Sequence, residues 1–256
     1  MIFGTLLEKQ IIMPNIKKSL GGKRVILMGA SSGIGFATAK AAAEQGANVV
    51  IVSSNQQRID KALTELPKGS EGYAVDLSKE ENIKDFFSKI GKFDHLVFTA
   101  GENLTLNNIS ETNIDQARDF FTLRFWAPFA AIKYGASSIN NGGSISLTSG
   151  TASARPGAGW SVASAICGAT EGFVRAMAVE LAPVRVNCVV PGVIKTPLWD
   201  SMLESDREGL YQYTSNSLLA KRVGEAGDVA EGFIYLMKQK HGTGQSLVID
   251  GGTLLV

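Results

Sequence analysis

Short apolar runs alternate with longer segments of helical period along most of the chain. Runs such as Arg24–Met28 and residues 48–52 have the length of strands, and each precedes a segment whose apolar positions recur every three or four residues. Continuous apolar runs suit parallel strands that are buried on both faces. Because strands alternate with helices, the pattern predicts one α/β domain with a doubly wound parallel sheet of about seven strands and helices on both faces.

The individual elements follow from these runs. The predicted strands cover residues 24–28, 48–52, 72–75, 95–99, 144–148, 184–190 and 246–249. The predicted helices cover residues 33–45, 56–66, 79–90, 114–139, 161–181 and 227–237, and residues 195–217 form a looser stretch. Residues 1–20 fit no element, so they are predicted to be an N-terminal arm before a domain of residues 21–256. We interpret this segment as a loose arm or an upstream start, since Met13 would open a chain of the usual length for such a fold, and the alternative is a targeting segment.

A glycine-rich turn follows the first predicted strand and opens the first predicted helix. Glycine lets the backbone turn tightly and approach a ligand closely, and the N–H groups of a helix N-terminus favour an anion. In this strand–turn–helix context the motif predicts a site for the pyrophosphate of a dinucleotide, and the alternative is a packing turn without a ligand. The residues of the predicted site are Gly29, Ser31, Ser32, Gly33, Ile34 and Gly35.

The turn and several later motifs resemble those of the short-chain dehydrogenase/reductase family. The family turn reads Gly-xxx-Gly-Ile-Gly, and further matches extend over nearly the whole chain. They comprise an Asp beside the adenine, the end of an Asn-Asn-Ala-Gly segment, and a Pro-Gly motif whose following residues hold the nicotinamide end. The matching residues are, in that order, Asp76 and Leu77, Ala100 and Gly101, and Pro191, Gly192, Ile194 and Thr196.

This resemblance implies a Rossmann-type fold and an NAD(P)(H)-dependent oxidoreductase that acts on a carbonyl or alcohol substrate. The choice of coenzyme depends on the residues after the second strand. Rossmann proteins that prefer NAD usually carry an acid there, whereas this chain has Ser53, Ser54 and Asn55, with Arg58 close by. The absence of a carboxylate favours NADP over NAD, although Arg58 could also be a solvated charge at the start of a helix.

The residues that the family uses for chemistry are largely replaced. The family set comprises an Asn, a Ser, and a Tyr followed four residues later by a Lys. Ser149 matches the Ser, and an ungapped match of residues 163–181 places Ala163 at the Tyr position and Cys167 at the Lys position. Trp160 is an alternative to Ala163, but it requires a three-residue slip. In either register the Tyr–Lys pair is missing, so the catalytic site is predicted to be degenerate.

Arg124 stands where the family has its Asn. One hypothesis is that its guanidinium fills the space left by the Lys and binds an anionic group or a developing oxyanion. It is a poor proton donor, because arginine stays protonated. The alternative is that Arg124 only ties its helix to a backbone carbonyl or an acid.

Four aromatic residues are candidates for the wall of a substrate cleft, namely Trp160, Trp199, Tyr211 and Tyr213. The two histidines, His95 and His241, fall near the starts of predicted strands, so we expect both at the surface or in a cap. Cys167 is expected to be a small packed residue rather than a nucleophile.

Composition excludes several classes of function. Lys and Arg total 25 against 24 Asp and Glu, and no basic stripe indicates binding of nucleic acid or of a membrane surface. The two cysteines, Cys167 and Cys188, have no metal-ligand spacing, which argues against a metal site or a disulfide. No signal peptide or membrane span is predicted, so a cytoplasmic location is expected. The resemblance also implies a homo-oligomer, either a dimer or a homotetramer.

Two functions therefore remain from the sequence. The first is an NAD(P)(H)-dependent oxidoreductase with a degenerate site, acting on a small-molecule carbonyl or alcohol. The second is a catalytically impaired NADP(H)-binding pseudoenzyme that serves as a sensor or scaffold. Both functions require coenzyme binding, and only the first requires hydride transfer.

Overall fold

A seven-stranded parallel sheet forms the centre of the computed structural model, which describes residues 19–103 and 106–256. Its spatial order is β3-β2-β1-β4-β5-β6-β9, so the strand order reverses between β1 and β4. The strands are β1 (Arg24–Met28), β2 (Asn48–Ser53), β3 (Glu71–Ala74), β4 (Phe93–Phe98), β5 (Ile139–Thr148), β6 (Arg185–Pro191) and β9 (Ser246–Ile249). A separate pair is formed by β7 (Ile194–Lys195) and β8 (Gly224–Glu225).

Helices cover both faces of this sheet, as the sequence predicts. Alternate side chains of β1 enter two different cores: Ile26 and Met28 pack with one group of helices, and Val25 and Leu27 pack with the other. The first core contains residues of α3 (Glu80–Lys89), α5 (Ala127–Gly135) and α6 (Ser161–Glu180). The second contains residues of α1 (Gly33–Glu44), α2 (Gln56–Thr64) and α8 (Ala226–Lys238). The remaining helices are α4 (Ile114–Phe121) and α7 (Glu204–Ser217).

The long helix predicted over residues 114–139 is wrong in its detail. It is divided into α4, a π-helical turn over Thr122–Trp126, and α5, which ends at Gly135. Pro128 lies in the first turn of α5, where its missing N–H costs least. β5 consequently begins at Ile139, earlier than the predicted residue 144. Turns of the π type inside helices frequently lie at functional sites.

Two further expectations need correction. Residues 204–217 form α7 rather than a loose stretch, because this mostly polar helix has no clear apolar stripe to reveal it. Leu20, assigned to the N-terminal arm, is only 2% exposed and packs in the second core, and its N–H donates to the carbonyl of Gln45. Ser19 is exposed, and residues 1–18 of that arm lie outside the described part of the chain.

His95 is buried, contrary to the expectation of a surface or capping role. β4 begins at Phe93, so His95 lies inside the sheet with 3% exposure, and its Nδ1 is 2.9 Å from Ser144 Oγ. Burial disfavours the imidazolium cation and lowers the pKa of His95 from 6.5 to about 4. His241 is exposed, as expected.

We expect the pH dependence of stability to report this burial. The unfolded state binds more protons than the folded state between pH 6.5 and about pH 4, so the free energy of unfolding falls as the pH is lowered through that window. The contribution of His95 between pH 7.5 and pH 5 is roughly 2 kcal/mol. In denaturant titrations, lowering the pH from 7.5 to 5 should reduce the free energy of unfolding of the wild type by roughly 2 kcal/mol more than that of His95→Asn. The variant His241→Asn should lose as much as the wild type. Equal losses in all three proteins would contradict the assignment.

Candidate functional site

A cleft of about 400 Å³ opens at the carboxyl ends of β1, β4 and β5, where the strand order reverses. Parallel α/β sheets bind ligands at such a switch point, because the loops on either side diverge there. The predicted site residues that line it are Gly29, Ser31, Ser32, Gly33, Ile34, Gly35, Ser53, Ser54, Arg58, Asp76, Leu77, Ala100, Gly101, Arg124, Ser149, Pro191, Gly192, Ile194 and Thr196.

The glycine-rich turn lies at one end of the cleft and leaves no room for a side chain at Gly29 or Gly35. A Cβ on Gly29 would lie 2.3 Å from the backbone nitrogen of Ala100, and one on Gly35 would lie 2.3 Å from the carbonyl oxygen of Gly29. Gly29 also has φ of +88°, a conformation that favours glycine. Ser32 precedes the first turn of α1 without capping it through its side chain. The N–H groups that open α1 can therefore face a ligand.

Small polar side chains line the cleft near the end of β2. Ser31 Oγ and Ser53 Oγ are 2.9 Å apart, and Ser54 and Arg58 lie beside them. Asn55 is the one predicted coenzyme residue that the structure does not bring to the cleft. Its side chain accepts the N–H of Arg58 at 2.9 Å and caps the start of α2 instead.

Asp76 is the one acidic side chain among the described residues that line the cleft. Its Oδ1 accepts hydrogen bonds from the hydroxyl and the N–H of Ser78, at 2.6 and 3.0 Å. These bonds stabilise the carboxylate and lower the pKa of Asp76 below its usual value. Asp76 is therefore fixed as an anion and as an acceptor.

The opposite end of the cleft contains the residues that align with the family Tyr and Lys. Ala163 and Cys167 lie one turn apart on α6 and both line the cleft, as does Trp160, which precedes the helix. Ser164, which the slipped register requires at the Lys position, is not among the lining residues. Within residues 19–103 and 106–256, no Tyr or Lys lines the cleft. Burial raises the pKa of the Cys167 thiol, so it is poorly suited to act as a nucleophile.

Ser149 follows β5 and contacts a carboxylate that the sequence did not reveal. Its Oγ is 3.0 Å from Glu171 Oε1 and 3.3 Å from the carbonyl oxygen of Cys167. Ser153 Oγ donates to the same Oε1 at 2.6 Å. The available signal was the spacing on α6, because Glu171 lies one turn beyond Cys167 on the same face.

Arg124 lies in the π-helical turn, where its guanidinium both faces the cleft and ties its helix to a neighbouring residue. The guanidinium lines the cleft, and its Nη2 donates to the carbonyl oxygen of Glu102. Its Nε is 3.5 Å from Glu102 Oε2, an ion pair without a hydrogen bond. The Phe120 ring lies 4.6 Å from the guanidinium carbon, within cation–π range. Burial lowers the pKa of Arg124 and raises that of Glu102.

The predicted aromatic residues divide into two pairs. Trp160 and Trp199 line the cleft, and the indole N–H of Trp199 donates to the carbonyl of Ile194 at 2.9 Å. Tyr211 and Tyr213 are not among the lining residues. Tyr213 is 75% exposed, and the Lys195 ammonium lies 5.8 Å from the Tyr211 ring.

An aromatic surface lies away from the cleft, on the π-helical turn, α5 and α6. Trp126 and Phe129 are 56% and 38% exposed, and Phe129 stacks on Phe173 with ring centroids 4.9 Å apart. Phe125 makes edge contacts with Trp126 and Phe173. Among the described helices, α6 alone has the length and apolar composition of a membrane-crossing segment. That composition is weak evidence, because core helices of other proteins share it.

The fold and the cleft define an α/β protein of the dinucleotide-binding type. A family model described as an SDR-like Rossmann domain matches residues 17–256, so the chain belongs to the short-chain dehydrogenase/reductase family. The short-chain dehydrogenase/reductase fsr5 of Gibberella fujikuroi is 33% identical over 254 residues, which cover 92% of this chain and 96% of that relative.

Two solved structures extend the comparison to coenzyme and chemistry. A small-chain dehydrogenase in complex with NADPH has a TM-score of 0.82 and 33% identity, covering 92% of this chain and 100% of that chain. The MalC reductase/Diels-Alderase from Malbranchea aurantiaca has a TM-score of 0.86 and 31% identity, covering 94% of this chain and 99% of that chain.

Proposed function

We propose that this protein is an NADP(H)-dependent oxidoreductase that acts on a small-molecule carbonyl or alcohol without the usual Tyr–Lys pair. The observation that carries the proposal is that one cleft is lined by the glycine-rich turn at one end and by Ser149 and Arg124 at the other. The likeness to the NADPH-bound dehydrogenase supports the coenzyme assignment.

The residues present fit the coenzyme. Only glycine fits at Gly29 and Gly35, and the tight turn that results places the start of α1 at the cleft, where its N–H groups would bind a pyrophosphate. Ser31, Ser53, Ser54 and Arg58 would hold a 2′-phosphate, because hydroxyls and a guanidinium favour that anion. The proposed contacts to the adenine are Asp76 and Leu77, and those to the nicotinamide end are Ala100, Gly101, Pro191, Gly192, Ile194 and Thr196.

The coenzyme supplies or accepts the hydride, and the chain supplies electrostatics. Arg124 presents a partly buried cation at the cleft, where it stabilises negative charge that develops on a carbonyl oxygen. Ser149 presents a hydroxyl to the same region. Arg124 cannot replace the family Tyr as a direct acid, because arginine stays protonated. We therefore expect a restricted substrate range and slower carbonyl reduction than in members that retain the Tyr.

A second candidate is a protein that binds NADP(H) in the same cleft but transfers no hydride, as a sensor or scaffold. It is favoured by the absence of Tyr and Lys among the described cleft residues. The name of the MalC relative joins a reductase to a Diels-Alderase. A cycloaddition needs a shaped and charged cleft but no proton donor, so the same absence is compatible with that reaction.

Single-turnover hydride transfer separates these candidates. The purified protein is mixed with NADPH and a panel of aldehydes, ketones and imines, and the loss of reduced-nicotinamide absorbance is followed. Transfer to at least one member supports the oxidoreductase, and coenzyme binding without transfer to any member supports the second candidate. In the double variant Ala163→Tyr with Cys167→Lys, a gain of ordinary carbonyl reduction would show that the rest of the site is intact.

We also propose that the aromatic surface is the contact between two copies of the chain. Exposed Trp and Phe side chains are enriched at protein interfaces. Sedimentation should show that Trp126→Asp, which charges a residue 56% exposed in this structure, weakens self-association by about 100-fold. Tyr235→Asp, at a similarly exposed aromatic residue on α8, is the matched control. An unchanged mass for Trp126→Asp would contradict the assignment.

The two described cysteines support a reducing compartment, and we propose a cytoplasmic location on that basis. Cys167 and Cys188 are both free thiols.

A further inference from the structure

Glu171 forms a small network behind the cleft that joins α6 to the segment after β5. Its Oε1 contacts the hydroxyls of Ser149 and Ser153, at 3.0 and 2.6 Å. Ser149 lines the cleft and Glu171 does not. Glu171 is only partly buried, so it can exchange protons with solvent. The carboxylate therefore reaches a bound ligand only through the Ser149 hydroxyl.

The protonation state of Glu171 decides which way Ser149 points its proton. A serine hydroxyl has one proton and two lone pairs. When Glu171 is ionised, the charge-assisted bond to Oε1 outcompetes the 3.3 Å contact to the carbonyl of Cys167, and Ser149 offers the cleft a lone pair. When Glu171 is protonated, it can donate to Ser149, which is then free to donate into the cleft.

We propose that Glu171 is a positioning residue that sets the direction of the Ser149 hydroxyl and stores the proton that Ser149 exchanges with substrate. This proposal rests on the proposed oxidoreductase function. It supplies a route for the proton in a cleft whose described residues include no Tyr or Lys.

Reduction of the substrate adds one hydride and one proton to its carbonyl group. Hydride from NADPH forms a C–H bond at the carbonyl carbon, the C=O π bond breaks, and NADP⁺ is produced. The substrate oxygen takes the proton of Ser149, and Ser149 takes the proton of the Glu171 carboxyl group, which becomes a carboxylate. Water reprotonates the carboxylate before the next turnover. Alcohol oxidation runs the same steps in reverse and begins with ionised Glu171.

This route predicts opposite pH dependences for the two directions. Single-turnover reduction should slow as the pH rises, because it takes a proton from Glu171, and oxidation should slow as the pH falls, because it returns one. The titratable groups that interact electrostatically with Glu171 are the thiols of Cys167 on α6 and Cys188 on β6, and these thiols in turn interact with Arg124 and Arg175. Burial raises the pKa of both thiols, that of Cys188 to about 11, and arginine stays protonated, so none of them mimics this behaviour below pH 8.

The test compares wild type, Glu171→Gln and Ser149→Ala in both directions between pH 5 and pH 8, with NADPH affinity and melting temperature measured in parallel. Gln keeps the shape and an acceptor oxygen for Ser149 but cannot take a proton. We expect Glu171→Gln to bind NADPH as the wild type does, to transfer hydride roughly 10²–10⁴-fold more slowly, and to lose the opposite pH slopes. Glu180→Gln, an exposed residue of the same helix, is the matched control and should keep both slopes.

Each outcome decides the proposal. If the wild type transfers hydride and Glu171→Gln matches its rate and slopes, the role of Glu171 is overturned while the oxidoreductase function stands. If Glu171→Gln fails to fold, Ser149→Ala decides instead, because it breaks the same route, and unchanged slopes in it would overturn the role. If the wild type binds no NADPH or transfers no hydride, the oxidoreductase function fails and the role of Glu171 fails with it.

Discussion

Replacement of Gly35 by alanine is expected to raise the dissociation constant for NADPH by about 100-fold, which corresponds to roughly 2.7 kcal/mol of binding free energy. The added Cβ would lie 2.3 Å from the carbonyl oxygen of Gly29 and 2.4 Å from Thr99 Oγ1. Both atoms belong to the wall of the turn, so the start of α1 must move and its N–H groups must leave their positions. Fluorescence titration of NADPH measures the effect.

Gly227→Ala is the matched control for this change. Gly227 lies in α8, and a Cβ there meets no atom within 4 Å. Alanine also has the higher helix propensity, so this variant should bind NADPH as the wild type does and fold at least as stably. If Gly35→Ala retains wild-type affinity while its melting temperature falls, the turn serves packing rather than a ligand.

Replacement of Arg124 by glutamine is expected to slow hydride transfer by roughly 10²–10³-fold with little change in NADPH affinity. The guanidinium lies against Gly101, where a Cβ would come within 2.8 Å of Arg124 Nη1, and it is a partly buried cation at the reaction end of the cleft. Loss of a charge that faces a developing oxyanion affects the transition state more than the ground state. The melting temperature should also fall, because Glu102 loses its ion pair.

Arg118→Gln distinguishes this effect from a general loss of positive charge. Arg118 lies on α4, with a side chain 75% exposed and an ion pair to Asp115. We expect its rate and stability to match the wild type, since exposed ion pairs contribute little. Arg124→Gln with a wild-type rate would mean that Arg124 only ties its helix to Glu102.

Local patterns along the chain predicted most of the sheet. β1 and β2 each contain four consecutive buried apolar residues, 25–28 and 49–52, so their apolar runs are continuous and easily recognised. The polar start of β5, Ile139–Gly143, was missed because three of its five residues are exposed and two are glycines. The π-helical turn was missed because a pattern of apolar positions does not separate one helix type from another over five residues.

The sequence likewise predicted one part of the candidate site and missed another. The turn residues and the Pro-Gly motif are contiguous in sequence, so their positions around the cleft could be predicted, while their contacts to a coenzyme stay predictions. The Ser149–Glu171 contact joins residues 22 positions apart, and the Arg124–Glu102 contact is equally distant in sequence. Such pairs depend on how α6 and the π-helical turn pack on the sheet. The burial of His95 was missed because the predicted strand begins at residue 95, two residues after β4 begins at Phe93.

Titration of the purified wild-type protein with NADPH and NADH, followed by calorimetry or by nicotinamide fluorescence, tests the account most directly. We predict saturable binding of one NADPH per chain, tighter than that of NADH, because Ser53, Ser54 and Arg58 line the cleft beside the end of β2 and the segment between β2 and α2 contains no carboxylate. If neither NADPH nor NADH bound at millimolar concentration, the proposed coenzyme site would be contradicted, whatever the other residues of the cleft do.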